Sequence, residues 1–178
     1  MAQEGESLLL KRAESIANEL LSIPKEEEIL IVSHLDADGI AAGSILLHAL
    51  LDSGANPCLR IVKQLDVGTI EEVAKSSSDF VVFVDMGSGQ KTLLEKLRNK
   101  ENDKNKNKEI FIIDHHQPEP PEMEFEINPH MFGYNGSNDI SASGTAYLVA
   151  KRMSSTNPYI SQLAIAGPGR TCLTCGFK

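Results

Sequence analysis

The chain has 178 residues, of which 41% are apolar, and carries a formal net charge of −8. That length suits one α/β domain with a sizeable core, and the acidity does not by itself advertise nucleic-acid binding. Its apolar runs fall far short of the ~20 residues that span a membrane, the acidic start Met1-Ala2-Gln3-Glu4-Gly5-Glu6 has none of the regions of a signal peptide, and Cys58, Cys172 and Cys175 make no disulfide framework. A cytoplasmic protein without a membrane partner is the expectation.

Leu8, Leu9, Ala13, Ile16, Ala17, Leu20 and Leu21 recur at helical spacing and predict a helix over 4–22, ended by Pro24. A strand over 28–33 leads into a helix over 38–52, and Ser53-Gly54-Ala55-Asn56-Pro57 reads as a turn. A strand at 58–63 and a short helix at 67–76 follow. A third strand at 79–85 precedes a helix at 89–99. Residues 100–108, polar and of low complexity, read as a surface loop. They belong to a basic stretch, with seven Lys/Arg against three Asp/Glu from Lys91 to Lys108. A fourth strand covers 109–114, and Pro118, Pro120 and Pro121 forbid regular structure just beyond it. A short fifth strand is expected at 125–128. Ser141 or Ser143 caps a helix over 143–154, and a last helix starts after Pro158. Strands alternating with helices imply a mostly parallel sheet with helices on both faces.

Three apolar strands end in chemistry. Ile29-Leu30-Ile31-Val32-Ser33 runs into His34-Leu35-Asp36-Ala37-Asp38-Gly39, Phe80-Val81-Val82-Phe83-Val84 into Asp85-Met86-Gly87, and Ile110-Phe111-Ile112-Ile113 into Asp114-His115-His116. The C-terminal edge of a parallel sheet is where ligands bind. Alternation along a strand end puts Asp36 and Asp38 on one side with His34 in line. Two carboxylates that close repel unless a cation or proton separates them. Capping of the next helix by Asp38 would explain one acid, not two and a histidine. A strand-terminal Asp85 alone is commonly a turn former; beside two other acidic strand ends it becomes a bridging ligand. Gly87 and Gly89 allow a backbone nest for an anion. One of His115 and His116 can face metal and the other substrate, with Asp114 orienting an imidazole. Carboxylates with imidazole and few thiols suit Mn²⁺ or Mg²⁺, and two such ions favour phosphoester hydrolysis. Cys172-x-x-Cys175 lacks the second pair that zinc needs, and His48 and His130 read as structural or solvated.

In their order, His34–Gly39, Asp85 and Asp114-His115-His116 resemble the DHH phosphoesterase superfamily, and within it the archaeal RecJ-like single-strand nucleases. The resemblance covers about 28–165 and implies a DHH domain at 25–167 behind an N-terminal helix at 1–24. It implies that Asp36, Asp38, Asp85 and His115 ligate two metal ions, with Asp85 bridging, that His34 is a further ligand, and that His116 contacts phosphate. Asp114 belongs to the catalytic set, and Gly87 and Ser143 are candidate substrate contacts beside His116. Asn128-Pro129 and Ser141-Ala142-Ser143-Gly144-Thr145 resemble the family's linking region. The partners implied are single-stranded DNA or RNA, and replisome proteins. Two departures stand out. No carboxylate follows Asp139, so the family's fourth motif is missing and 168–178 looks like an artificial or frame-shifted tail. The C-terminal DHH-associated domain is also missing, which implies impaired turnover. The rival readings are a phosphodiesterase for oligonucleotides, cyclic dinucleotides or pyrophosphate, and a non-catalytic replication scaffold.

Overall fold

A computed structural model describes residues 2–98, 107–153 and 158–167. Five strands, β1 (Glu28–His34), β2 (Asn56–Val62), β3 (Phe80–Val84), β4 (Glu109–Ile113) and β5 (Phe125–Ile127), form one sheet in the order β2-β1-β3-β4-β5. Every pairing is parallel. Among the described residues six α-helices accompany them: α1 (Ala2–Ser22), α2 (Ala37–Asp52), α3 (Val67–Lys75), α4 (Lys91–Arg98), α5 (Ala142–Met153) and α6 (Pro158–Ala166). No described helix is long and apolar enough to cross a membrane.

The period of two along the strands divides the core. Ile29, Ile31, Val82, Val84, Phe111, Ile113 and Ile127 face one side, with α1, α2, α5 and α6. Leu30, Val32, Val81, Phe83, Ile110 and Ile112 face the other, where Ile70 and Val73 of α3 and Leu94 and Leu97 of α4 cover them. Phe111 and Phe125, opposite each other on β4 and β5, stack with ring centroids 4.8 Å apart.

Most boundaries fall within two residues of the sequence expectation, and the differences have local causes. β2 begins at Asn56 and takes in Pro57, assigned above to a turn; β2 is an edge strand, where a missing N–H is tolerated. The start of α4 waits for Lys91 because Gln90 N–H donates to Gly87 O, closing a turn first. A 3₁₀ turn over Pro129–Phe132, capped by Asn128, was not anticipated. Lys108, assigned to the solvated loop, is buried, its Nζ donating to Ser78 O at 2.6 Å and Ser76 O at 3.0 Å. The 168–178 tail with Cys172 and Cys175 lies outside the described residues, as does 99–106 of the basic stretch.

Candidate metal centre

The sheet order changes direction between β1 and β3, and at that point an open parallel sheet leaves a crevice beyond its strand ends. His34 closes β1, Asp85 follows β3, and Asp114-His115-His116 follows β4. Three expected motifs therefore meet at one edge.

Asp85 sits at the middle of the cluster. Its side chain is 1% exposed. His115 Nε2 lies 3.2 Å from one of its oxygens and His34 Nδ1 3.7 Å from the other. Neither carboxylate oxygen is paired in a hydrogen bond among the described residues. Its φ of 59° is left-handed, a region Asp enters more readily than most residues, and Asp85 N–H still donates to Ile113 O. Burial pushes the Asp85 pKa up, reinforced by Asp36 and Asp38 and opposed by His115. A buried carboxylate without donors is costly alone and is what a cation would relieve.

Two sets of donor atoms share Asp85: His34, Asp36 and Asp85 in one, Asp85, His115 and His116 in the other, each with atoms within 4.8 Å of one another. Asp36 is the N-cap of α2, accepting from Gly39 N–H at 2.8 Å through one oxygen, while the other lies 3.1 Å from His34 Nδ1. Burial would raise its pKa, but the Gly39 bond and the His34 contact hold it below the usual range.

Asp38 is placed differently from the expectation. β1 ends at His34 and Asp38 already lies in the first turn of α2, so strand alternation does not set it beside Asp36. Nor does it cap its own helix. Its carboxylate reaches the start of α5, accepting from Ala142 N–H at 2.8 Å and Ser143 N–H at 3.0 Å. It stands 3.7 Å from His115 Nε2 but joins neither donor set.

Asp114 is fully buried and saturated with donors. It accepts from Ser88 N–H (3.0 Å), His115 N–H (2.7 Å), His116 N–H (3.1 Å) and His116 Nδ1 (2.8 Å). Burial would raise its pKa, and these bonds with the His116 charge lower it. Its bond to His116 Nδ1 fixes the orientation of that ring. His115 Nδ1 is held 2.8 Å from Gly136 O, which leaves Nε2 toward Asp85. His116, bonded to Asp114 through Nδ1, has a side chain 56% exposed, and that bond raises its pKa against the effect of burial.

Two expected substrate contacts are already engaged. Gly87 N–H donates to Gln90 Oε1 and Ser88 N–H to Asp114, so the nest after β3 is filled by the protein's own groups. Ser143 is buried, its hydroxyl 2.9 Å from that of Ser141, and Ser141 Oγ accepts from Gly144 N–H as the cap of α5. Sequence reading missed Gly136, where an added Cβ would lie 1.8 Å from His115 O. His130, read as structural or solvated, supports that turn: its Nε2 accepts from Gly136 N–H at 3.3 Å. Only the Asn135-Gly136 turn pair was visible there.

A cleft of about 180 Å³ beside the cluster is lined by His34, Gln64, Leu65, Asp85, Met86, Gln90 and His116. A larger cavity, about 560 Å³, lies at the opposite end of β4 and β5, among Glu95, Lys108, Glu109 and Glu124. Its described lining has no imidazole, whereas the smaller cleft has His34 and His116 beside Asp85.

Residues 28–168 match the DHH family, N-terminal domain. An uncharacterized protein of Methanocaldococcus jannaschii is 35% identical over 147 aligned positions, covering 78% of this chain and 32% of its own length. RecJ of Thermus thermophilus, crystallised in complex with Mn²⁺, superposes with a TM-score of 0.67 at 23% identity, over 89% of this chain and 23% of RecJ. CDC45 from Entamoeba histolytica does so with a TM-score of 0.65 at 18% identity, over 89% of this chain and 32% of CDC45. At these identities the structural likeness establishes the fold. The chain spans about a third of the length of the curated relative it matches.

Proposed function

Because the chain belongs to the DHH family, we propose that it forms the metal-binding part of a phosphodiesterase acting on single-stranded DNA or RNA with Mn²⁺ or Mg²⁺. The observation that carries this reading is Asp85, a buried carboxylate without a donor, shared by two sets of ligand atoms. His34 and Asp36 would hold one cation with Asp85, and His115 would hold the second with Asp85, with Asp38 beside it. His116, the third member of that set, has its Nδ1 taken by Asp114 and is left to substrate. Two divalent ions there would supply Lewis-acid activation of water and neutralise charge at phosphorus.

The chain's own groups supply the orientation. Gly136 O fixes His115 so that Nε2 is the ligating nitrogen. Asp114 fixes His116 through Nδ1 and favours its imidazolium, which leaves a half-exposed N–H donor for a non-bridging phosphate oxygen. With the N–H groups of Gly87 and Ser143 engaged within the protein, substrate contact falls on His116.

Calorimetric titration of Mn²⁺ into this chain tests the centre. Two ions are expected, with a loss of at least about 100-fold in affinity on Asp85→Asn. Hydrolysis of labelled single strands should require the metal. Equal Mn²⁺ affinity in Asp85→Asn would overturn the reading. Faster cleavage of dinucleotides than of long single strands would replace the polymer with a small substrate.

A further inference from the structure

Glu126, in the middle of β5, carried no sequence signal, yet its carboxylate is wholly buried and 2.7 Å from the buried Nζ of Lys91. Lys91 Nζ also donates to Glu119 O at 2.5 Å. The remaining acceptor positions of Glu126 are taken by Ser88 Oγ–H at 2.8 Å and Met123 N–H at 3.0 Å. Buried ion pairs can often be replaced by apolar residues of similar volume without loss of stability, so the pair is explained by more than stability alone.

That reason lies in where the bonds lead. Ser88 Oγ accepts from Asn128 Nδ2 at 3.0 Å, and the same amide donates to His116 O at 2.8 Å. Ser88 N–H donates to Asp114, the carboxylate that gathers the backbone N–H groups of His115 and His116 and the His116 ring. One continuous, buried network thus joins β5, the turn after β3 and the turn after β4. Each neutral group in it is oriented by the fixed charge of Glu126, since a hydroxyl whose proton is directed to a carboxylate must present its lone pairs elsewhere.

We propose that Glu126, held by Lys91, is a positioning residue: through Ser88 and Asn128 it fixes the turn that aims His115 at Asp85 and leaves His116 to a phosphoryl oxygen. This rests on the metal-centre reading above. Glu126 touches neither the ligand atoms nor the cleft, and it acts through the turn alone.

Amide hydrogen exchange on the metal-free chain, paired with Mn²⁺ calorimetry, tests it in Glu126→Gln and Ser88→Ala. Protection at Ser88, His115 and His116 should fall by about tenfold or more while Val82 and Ile112 in the sheet hold theirs. Mn²⁺ affinity should fall roughly 10- to 100-fold. Uniform loss of protection across the sheet with parental Mn²⁺ affinity would overturn the proposal and make the pair merely structural. If Glu126→Gln does not fold, Ser88→Ala decides, because it keeps the Lys91–Glu126 pair; unchanged exchange and affinity there would equally overturn it. Local loss of protection in a chain whose parent takes up no Mn²⁺ would uphold the positioning network and sink the metal reading instead.

Discussion

His115 shows how one residue can stabilise the metal-free fold and compete with the metal. Burial disfavours its charged form, but Asp85, Gly136 O and Asp38 outweigh this and push its pKa up to about 9 from 6.5. The stability it contributes to the metal-free chain is therefore fully present below the unfolded-state value of 6.5 and is lost as pH rises through about 9. A metal ion at Nε2 must displace that proton. At pH 7, Mn²⁺ uptake should release protons, and affinity should strengthen steadily as pH is raised toward 9. Calorimetry in two buffers of different ionisation enthalpy reads the proton count directly; heats that do not depend on the buffer would exclude Nε2 as the displaced site. The titrating residues were legible in the sequence because Asp114-His115-His116 is contiguous after an apolar strand. Their partners were not. Gly136 O lies 21 residues from the ring it holds and Ser88 N–H lies 26 from Asp114, contacts that only the closed loop brings together and that no local pattern marks.

At the scale of elements, the site depends on how closely α2 lies on β1. An added Cβ at Gly39 would meet His34 O at 2.5 Å, and one at Gly43 would meet Ser33 Cβ at 2.9 Å and Leu59 Cδ1 at 3.1 Å. Ser33 Oγ–H donates to Gly39 O at 2.7 Å, tying strand end to helix start. The elements α2, β1, β3 and β4 were readable from period and strand-end composition. What misled was the alternation argument for Asp36 and Asp38. The chain leaves β geometry at His34, so the two acids serve different helices, Asp36 as the cap of α2 and Asp38 as a long-range acceptor for the first N–H groups of α5. Gly43→Ala separates packing from propensity. Alanine gains about 1 kcal/mol of helix propensity, while overpacking costs typically 1–3 kcal/mol. A net destabilisation of about 1 kcal/mol is expected in denaturant unfolding. Stabilisation would show that α2 can shift outward without strain.

For the whole molecule, the question is where the cooperative unit begins. The family match starts at residue 28, after α1. Yet Leu9, Ala13, Ile16, Ala17 and Leu20 of α1 are at most 1% exposed and share one core with the inward residues of β1, β3, β4 and α5. Arg12 also reaches across to β5, its guanidinium donating to Glu126 O at 2.7 Å and Glu124 O at 2.8 Å. The amphipathic period announced the helix but not its seat, because a stripe of apolar residues does not name the surface it covers. Removing residues 1–24 would delete Leu9, Ile16, Leu20 and Ile23 from the core and uncover the matching face of α5. At roughly 2 kcal/mol for each large aliphatic side chain, the loss is on the order of 8 kcal/mol. That is comparable with the whole stability of a typical domain, about 5–15 kcal/mol. The chain from residue 25 onward should therefore lack a cooperative unfolding transition by circular dichroism and show no amide protection in β5, where the Arg12 contact is lost as well. A sharp transition within about 1 kcal/mol of the full chain would mean that α1 only lies against an already complete core, and that β5 holds Glu126 in place without Arg12.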